Sequence, residues 1–474
     1  MLDTFGVFAA VFLMALVVAI LWYYRTSRKV STVPGLSPSG QDGNLSDVGK
    51  AGNLHEFLID LHGRFGPIAS FWWEKQFTVS IASPDLFKEQ QNVFDRPPLL
   101  FQMLTPLVTK HSIQFANGED GRSRRRDYDR AFNANNLSIH YEELHETAYE
   151  IADKWAKLGP EDHIPLGEHM CLFAVKAVLV TLLGDTFKSE KEALNFKHNF
   201  DVVWNEMEKR LGDPTIPDEN SPRGQYFKKA MDNLREIVGK AVKEREPHGA
   251  ENRDFLLIDA ILVHHEGDEE KKFADVFSYM IAGLHTTGNL LTWAIYFVAK
   301  NPDMQEQLYE EIKSQLGKTD RVTHDTISRL KYLRWVLNEA LRCGVVATYA
   351  ARYVPDKDHT LGGHLIPKGT PVIHALGVLL KDKKYWPDPE KFDPERFSPK
   401  NSKGRPAFAF SPYGVGGQRQ CPGYRFAYVE ASILLATIIQ RFSVSLVPGQ
   451  TVVPRHGFVT HPAEEVWVKV TKRS

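Results

Sequence analysis

One cysteine lies in a segment whose residue types favour a reactive sulfur. Cys421 stands in the run FSPYGVGGQRQCPGYRFAY, where glycines, Gly417 among them, make the preceding backbone compact. Arg419 adds a positive charge two residues before the sulfur, and a helix-forming run begins directly after Gly423. A cysteine close to a helix N-terminus and a cation is favoured as the thiolate, the form that acts as nucleophile or metal ligand. The alternative is an inert cysteine packed in the core, which is common for a single free cysteine.

The composition of the chain limits the reactions in which this sulfur can take part. The 474 residues include three cysteines, Cys171, Cys343 and Cys421. An odd and sparse set argues against a disulfide framework and for a reducing compartment, which leaves a cysteine free for chemistry. The formal net charge of -1 gives no indication of a nucleic-acid partner. The sequence also lacks the H-E-x-x-H, G-x-S-x-G, P-loop and C-x-x-C motifs.

The elements that must position Cys421 are predicted to be mainly helical. Hydrophobic periodicity indicates helices over most of Gly118–Leu341, and Asn301-Pro302 ends the longest of them. Individual segments are predicted as helices (Asn53–Arg64, Lys271–Lys300, Tyr424–Arg441), as strands (Phe65–Ser83, Thr360–Val372 and short strands ending near Val470) and as irregular chain (Lys381–Pro412). The pattern predicts a mainly α fold with a small β part, in a single domain.

An apolar N-terminal segment predicts a membrane anchor. Residues 5–24 read FGVFAAVFLMALVVAILWYY, and twenty uncharged residues at about 1.5 Å each match the ~30 Å hydrocarbon core of a bilayer. Basic residues follow it, which places the C-terminal side in the cytosol. A cleaved signal peptide is the less favoured alternative, because no basic region precedes the apolar run. We therefore predict residues 1–29 as a single-pass anchor with a basic flank, 30–48 as a Pro/Gly/Ser-rich hinge, and 49–474 as the catalytic domain.

Four short motifs occur in order along this domain. They are AGLHTT (Ala282–Thr287), EALR (Glu339–Arg342), FDPERF (Phe392–Phe397) and the cysteine segment (Phe410–Gly423). Together they resemble the cytochrome P-450 superfamily over essentially the whole chain, and LHEFLIDLHGRFGPIASFWW is similar to its animal family-20 branch. The resemblance implies the P-450 fold and a haem b cofactor, with Cys421 as the axial thiolate ligand of the iron.

The resemblance also implies residues that hold the haem. Its propionates need cations, and the family positions are filled by arginines that can donate charge-assisted hydrogen bonds. The implied cofactor-binding set is Cys421, Arg419, Arg125, Arg352, Gly417 and Gly423, with Arg96 as a further candidate. Gly121 stands where the family has tryptophan, so we expect one propionate to lose a donor and the helix to be weaker by up to ~1 kcal/mol.

Glu339, Arg342 and Arg396 are the candidates for a structural cluster. Glu339 and Arg342 lie one helical turn apart, so they can pair with each other and with Arg396 from the later segment. By resemblance, this cluster fixes the cysteine loop and retains the haem. The alternative is a solvated surface pair, worth under ~1 kcal/mol.

On the oxygen side, the resemblance implies three catalytic candidates on the long helix. A gap at Gly283 would make room for dioxygen, and Thr286 would donate its hydroxyl to it. His285 replaces the acidic residue of the family, and histidine can relay protons near neutral pH. The alternatives are a threonine bonded to its own helix and a packed or solvent-facing histidine.

Two further features depart from or extend the family pattern. Tyr413 falls one residue early relative to Cys421, so a small bulge is expected near the sulfur. Arg122, Arg126 and Arg130 share one helix face, which either docks a reductase or is simply solvated.

The implied function is a haem-thiolate monooxygenase that inserts one oxygen atom from O2 into a small apolar substrate. Electrons would come from NADPH through a flavoprotein reductase, with cytochrome b5 as an additional partner. The anchor indicates the endoplasmic reticulum membrane and contact with its lipid, with the catalytic domain in the cytosol. Two alternatives stay open: a haem carrier or sensor without turnover, favoured by Gly121 and His285, and a haem-thiolate isomerase or dehydratase.

Overall fold

A computed structural model describes residues 12–18, 31–184, 189–212, 217–245, 256–317 and 321–473. Of the predicted anchor, residues 12–18 are helical and their apolar side chains are exposed, Phe12 at 70%. The remainder of the anchor and its basic flank lie outside the described residues.

Helices make up most of the fold. The labelled α-helices are α1 (Leu45–Lys50), α2 (Leu54–Phe65), α3 (Pro84–Gln90), α4 (Pro98–Phe101), α5 (Thr105–Val108), α6 (Gly118–Tyr128), α7 (Ala134–Ser138), α8 (Tyr141–Ala156), α9 (Leu166–Leu183), α10 (Glu190–Gly212), α11 (Pro222–Arg245), α12 (Leu257–His264), α13 (Glu269–Lys300), α14 (Pro302–Leu316), α15 (His324–Ile327), α16 (Lys331–Gly344), α17 (Leu376–Leu380) and α18 (Tyr424–Arg441). The predicted mainly α character is confirmed, and the predicted irregular segment before the cysteine loop contains only short 3-10 turns.

The strands form small sheets at the periphery of the helices. They are β1 (Ile68–Trp73), β2 (Gln76–Ile81), β3 (Ile164–Pro165), β4 (Ala350–Arg352), β5 (His359–Leu361), β6 (His364–Ile366), β7 (Val372–His374), β8 (Phe442–Leu446), β9 (Pro454–His456), β10 (Thr460–Pro462) and β11 (Trp467–Lys472). One sheet has the order β1-β2-β7-β4 and another the order β3-β11-β8, while β5-β6 and β9-β10 are hairpins. The predicted strand pair over Phe65–Ser83 is the antiparallel pair β1-β2, in which Ile68 faces Ile81.

The predicted hinge packs on the domain instead of leading freely to it. The Leu36 N–H donates to Ser70 O at 2.8 Å, the Ser70 N–H donates to Pro34 O at 2.8 Å, and Val33 is buried. Residues 33–48 therefore add backbone hydrogen bonds to β1, which a pattern rich in Pro, Gly and Ser does not indicate.

Helix α13 runs through the core for 32 residues and packs closely on α9. A Cβ at Gly288 would lie 2.9 Å from Cys171 Sγ, so this glycine allows the two helices to approach. Among the described helices, α9 is the one long and apolar enough to cross a membrane. Since most of it is buried inside the domain, it is a core helix here.

A buried polar network fixes α6 against α13. Asp275 is fully buried and accepts hydrogen bonds from Tyr128 Oη at 2.7 Å, from Arg124 at 3.2 Å and from the Ile113 N–H at 2.5 Å. His265 Nε2 lies 2.9 Å from the same carboxylate. The network therefore fixes the position of helix α6 and of the preceding loop that contains Ile113.

We predict that Asp275→Ala lowers the free energy of unfolding by about 3–5 kcal/mol, because it removes the buried acceptor shared by Tyr128, Arg124 and the Ile113 N–H, although Arg124 keeps its pair with Asp120. Urea unfolding followed by circular dichroism measures this. The matched control is Asp232→Ala, which breaks the exposed pair with Lys228 and should change nothing measurable. Equal effects of the two substitutions would contradict a structural role for the network.

Candidate active site

The loop before Cys421 is shaped by glycines with positive φ. Gly414, Gly416 and Gly417 have φ of 91°, 87° and 67°, a region that side chains rarely adopt. A Cβ at Gly417 would lie 2.0 Å from Gln91 O, so this position admits no side chain. The Cys421 N–H donates to Tyr413 O at 3.1 Å and closes the loop. Instead of a simple bulge, the lengthened segment contains a 3-10 turn at Gly417–Arg419.

The Cys421 side chain faces open space while protein groups surround it on its other sides. Burial raises the pKa of its thiol, whereas the Gly423 N–H and then Arg125 and Arg96 lower it. The sequence indicated Arg419 as the cation that favours the thiolate, but Arg419 is turned toward backbone carbonyls. A metal ion would remove the thiol proton outright, so Cys421 remains suited to bind iron.

Four arginines converge beside this sulfur. Burial, followed by the charges of Arg96, Arg125 and Arg352, lowers the pKa of Arg419 to about 8. Burial and then Arg96 and Arg125 lower the pKa of Arg352 to about 9, and burial and Arg125 lower the pKa of Arg96 to about 10. The four candidates from separate parts of the chain are therefore close enough to repel one another.

Arg125 is the member of this group that has a carboxylate partner. Its Nε and Nη2 donate to Asp129 at 2.8 Å and 3.0 Å, and Nη2 also donates to Gln420 O at 2.9 Å. Burial lowers the pKa of Arg125, but Tyr279 and Asp129 raise it more, so it stays above its ordinary value. Among the described residues no other carboxylate is hydrogen-bonded to the four arginines.

The other arginines are held by neutral groups. Arg419 Nη1 donates to Ile113 O at 3.0 Å, Nη2 donates to Ala116 O, and its buried Nε has no hydrogen-bond partner. Arg352 Nη2 donates to Arg419 O at 3.1 Å. Arg96 Nη1 donates to the side-chain oxygen of Gln114. An orphaned donor within an excess of positive charge fits a dianionic ligand such as the two propionates of haem.

Gly121 has a structural reason to be glycine. A Cβ there would lie 2.3 Å from Ala116 O, the carbonyl that accepts from Arg419, and 2.9 Å from the ring of Phe94. No tryptophan fits at this position. The absent side chain instead lets α6 approach the loop that holds Arg419.

Thr286 on α13 is hydrogen-bonded to its own helix, which is the alternative role considered for it in the sequence. Its Oγ1 donates to Ala282 O at 2.6 Å, one turn back in the same helix. Ala282 is exposed and Thr286 is partly exposed, although most of the helix is buried. This part of α13 therefore faces an open space.

Gly283 does not provide the expected gap. A Cβ at this position would lie 2.6 Å from Val178 Cγ2 on α9, so the neighbouring helix already fills the space. The contact gives Gly283 a role in the close packing of two helices and does not support the predicted room for dioxygen.

His285 points into an aromatic cluster. Its ring stacks on Trp204 at a centroid distance of 4.3 Å and lies 5.1 Å from Phe200, and its buried Nε2 has no partner. Burial, with smaller effects of His461 and Lys197, lowers its pKa to about 3. This geometry favours the packed alternative over a proton relay.

The structure brings Glu339, Arg342 and Arg396 together in the interior. Arg342 donates through Nε and Nη2 to the two Glu339 carboxylate oxygens at 2.8 Å and 2.7 Å, with both side chains fully buried. Arg396 Nε lies 3.2 Å from Glu339 Oε1 as an ionic contact without a hydrogen bond. Arg342 also donates to Pro389 O at 2.8 Å, on the segment that leads to the cysteine loop. The alternative of a solvated surface pair is wrong.

The basic face of α6 is only partly available to a partner. Arg122 lies over the Phe94 ring at 4.4 Å, and Arg126 pairs with Glu119 at 2.9 Å while it remains exposed. Arg130 is exposed as well.

Glu430 is a buried acid that the sequence motifs did not indicate. Thr287 Oγ1 donates to Glu430 Oε1 at 2.6 Å, and the buried Oε2 has no partner. Burial, opposed by the Thr287 hydrogen bond, raises the pKa of Glu430 to about 8. An acidic residue within the otherwise apolar run of α18 was the signal that could have identified it.

Residues 34–468 match the model of the Cytochrome P450 family, so the chain belongs to the cytochrome P450 family, whose members hold haem iron through a cysteine thiolate. It is accordingly an oxidoreductase of the monooxygenase type.

Particular relatives refine this membership. Over the full length of both chains, the protein is similar to Cytochrome P450 20A1 of Rattus norvegicus (36% identical) and of Homo sapiens (33%). It is 31% identical to Cytochrome P450 4V2 of Mus musculus over about half of each chain. The similarity to the family-20 branch is thereby confirmed.

We predict that Glu430→Gln changes the pH dependence of stability. Since the folded-state pKa of about 8 lies above the ordinary 4.5, the folded chain keeps a proton that the unfolded chain releases. The free energy of unfolding should therefore fall as pH rises from about 4.5 to about 8, and Glu430→Gln should remove this slope. Urea unfolding across that range measures it, and the exposed Glu310→Gln is the control that should keep it. An unchanged slope in Glu430→Gln would contradict the assignment.

We predict that His285→Phe leaves oxygen uptake unchanged and keeps or raises the free energy of unfolding by ~1 kcal/mol, because it retains the stacked ring and removes an unpartnered nitrogen. His285→Ala, which removes the ring, should lower it by about 2 kcal/mol or more. Oxygen consumption and urea unfolding are the measurements. A large loss of oxygen uptake in a stably folded His285→Phe variant would contradict this prediction and favour His285 as a proton relay.

Proposed function

We propose that the chain is a membrane-anchored haem-thiolate monooxygenase in which Cys421 is the iron ligand. The observation that carries the proposal is the exposed Cys421 beside four arginines, of which only Arg125 has a carboxylate partner among the described residues. A thiolate and a cluster of cations is the donor set that a haem with two propionates requires.

The haem would be held by groups of distinct roles. Cys421 would bind the iron, and Arg96, Arg125, Arg352 and Arg419 would orient the propionates. When bound, thiolate-ligated haem supplies oxygen activation, because the thiolate pushes electron density toward the iron and favours O–O cleavage.

Thr286 is proposed to hold a proton on the open side of α13. Its Oγ1 hydrogen is engaged with Ala282 O, so the hydroxyl offers an acceptor to a ligand and must rotate before it can donate. His285 and Gly283 have no part in this proposal, because His285 stacks on Trp204 and Gly283 packs against Val178. Glu430 is a buried acid near this region, because it accepts a hydrogen bond from Thr287, the residue after Thr286.

The proposed function also includes a membrane anchor and redox partners. The exposed apolar side chains of residues 12–18 fit an anchor in lipid, with the endoplasmic reticulum membrane as its location and the domain in the cytosol. NADPH would supply electrons through a flavoprotein reductase, cytochrome b5 would be a further partner, and the substrate would be small and apolar. Arg126 and Arg130 are the exposed cations that the reductase could contact.

A haem carrier or sensor without turnover is the second candidate. The observation that favours it is His285, which is neutral and packed where the family has an acid beside the threonine. Without that acid, proton delivery would depend on Thr286.

We predict that the reduced, carbon-monoxide-bound full chain has a strongly red-shifted Soret band that Cys421→Ala lacks. The spectrum tests the ligand, and Cys171→Ala, on α9 and outside the cysteine loop, is the control that should keep the band. Persistence of the red-shifted band in Cys421→Ala would overturn the assignment.

Oxygen uptake distinguishes the two functions once the ligand is established. With a reductase and NADPH present, a monooxygenase consumes oxygen in proportion to product, while a carrier or sensor binds haem and consumes none.

A further inference from the structure

Two histidines and a glutamate meet away from the residues that would hold the haem. His55 and Glu56 lie in the first turn of α2, and His456 ends β9. One potential ligand atom of each side chain lies within 4.8 Å of those of the other two. None of the three takes part in the contacts of the cysteine loop or of the four arginines.

The side chains are oriented by their surroundings. Thr460 Oγ1 lies 3.0 Å from His456 Nδ1, which leaves Nε2 of that ring 3.7 Å from Glu56 Oε1. The rings of His55 and His456 meet edge to face with centroids 4.4 Å apart. A metal-binding histidine usually has its second nitrogen fixed by a hydrogen bond in this way.

His55 is a buried histidine with one ring nitrogen that has no hydrogen-bond partner. It is 4% exposed, and its Nδ1 has no hydrogen-bond partner. The ring is wedged against Gly377, where an added Cβ would lie 2.4 Å from His55 Cε1. The packing therefore fixes the ring, while the protein leaves a buried nitrogen unsatisfied, which costs free energy without a ligand.

Charged groups near the cluster are paired with partners of opposite charge. Lys381 is the nearby cation that opposes binding, but it is paired with Glu390 at 2.9 Å, and His461 lies 3.2 Å from Glu208.

We propose that His55, Glu56 and His456 form a site for a divalent metal ion of the Zn²⁺ class. Two imidazoles and one carboxylate are a known zinc donor set, and they leave a fourth position for water. Zn–N bonds of about 2.0–2.1 Å place tetrahedral donors ~3.4 Å apart, so the side chains must close by about 1 Å, which rotation of the exposed Glu56 and of His456 can supply. The ion would join α2 to the β9-β10 hairpin.

The test uses the full, haem-loaded chain and Zn²⁺ alone. Calorimetric titration should show one tightly bound Zn²⁺ per chain, weakened at least tenfold by His456→Gln and by Glu56→Gln. Glu56 is exposed, so Glu56→Gln should fold, whereas the His456 side chain is only 10% exposed; circular dichroism and the haem spectrum check the folding of both variants. The matched control is His324→Gln, an exposed histidine 3.8 Å from Asp325 but without a third ligand, and it should bind Zn²⁺ as the unmodified chain does.

X-ray absorption at the zinc edge gives a second readout that the haem iron does not obscure. The spectrum should show nitrogen and oxygen neighbours at about 2.0–2.1 Å, including two imidazoles. Absence of stoichiometric binding, or binding unchanged in the folded His456→Gln and Glu56→Gln variants, would overturn the proposal.

Discussion

Mutual repulsion among Arg96, Arg125, Arg352 and Arg419 is the constraint on which the rest of the site depends. Burying guanidinium groups together costs free energy unless anions or oriented carbonyls compensate. Within the described part of the chain, one carboxylate, that of Asp129, and several backbone carbonyls compensate the arginines, and Arg419 Nε is left unsatisfied. The remaining positive charge is balanced when a dianion binds. The arginines therefore determine which ligand the site binds and how that ligand is oriented.

The rest of the fold holds these cations in place. Asp275 on α13 binds the Ile113 N–H, and Ile113 O in turn accepts from Arg419. From the other side, the buried Glu339–Arg342 pair fixes the carbonyls of the segment before the cysteine loop. Polar contacts therefore connect the core helix to Arg419, and Arg125 reaches the residue before Cys421 through the Gln420 carbonyl.

Local patterns predicted the elements but not the directions in which their side chains face. The helices, the strand pair and the Glu339–Arg342 spacing follow from periodicity, and the motifs identified Cys421. Periodicity does not say which neighbour covers a helix face, so it could not show that Gly283 meets Val178 and that His285 meets Trp204. The docking of residues 33–48 on β1 likewise depends on contacts between distant segments.

Binding of haem and of its dimethyl ester to the haem-free chain tests the central claim most directly, because the ester removes both propionate charges and changes little else. If the arginines hold those carboxylates, the ester should bind at least tenfold more weakly, since each charge-assisted hydrogen bond contributes about 1.5–3 kcal/mol. In Arg419→Gln the difference between the two ligands should shrink. Equal affinity of the unmodified chain for haem and its ester would contradict the account.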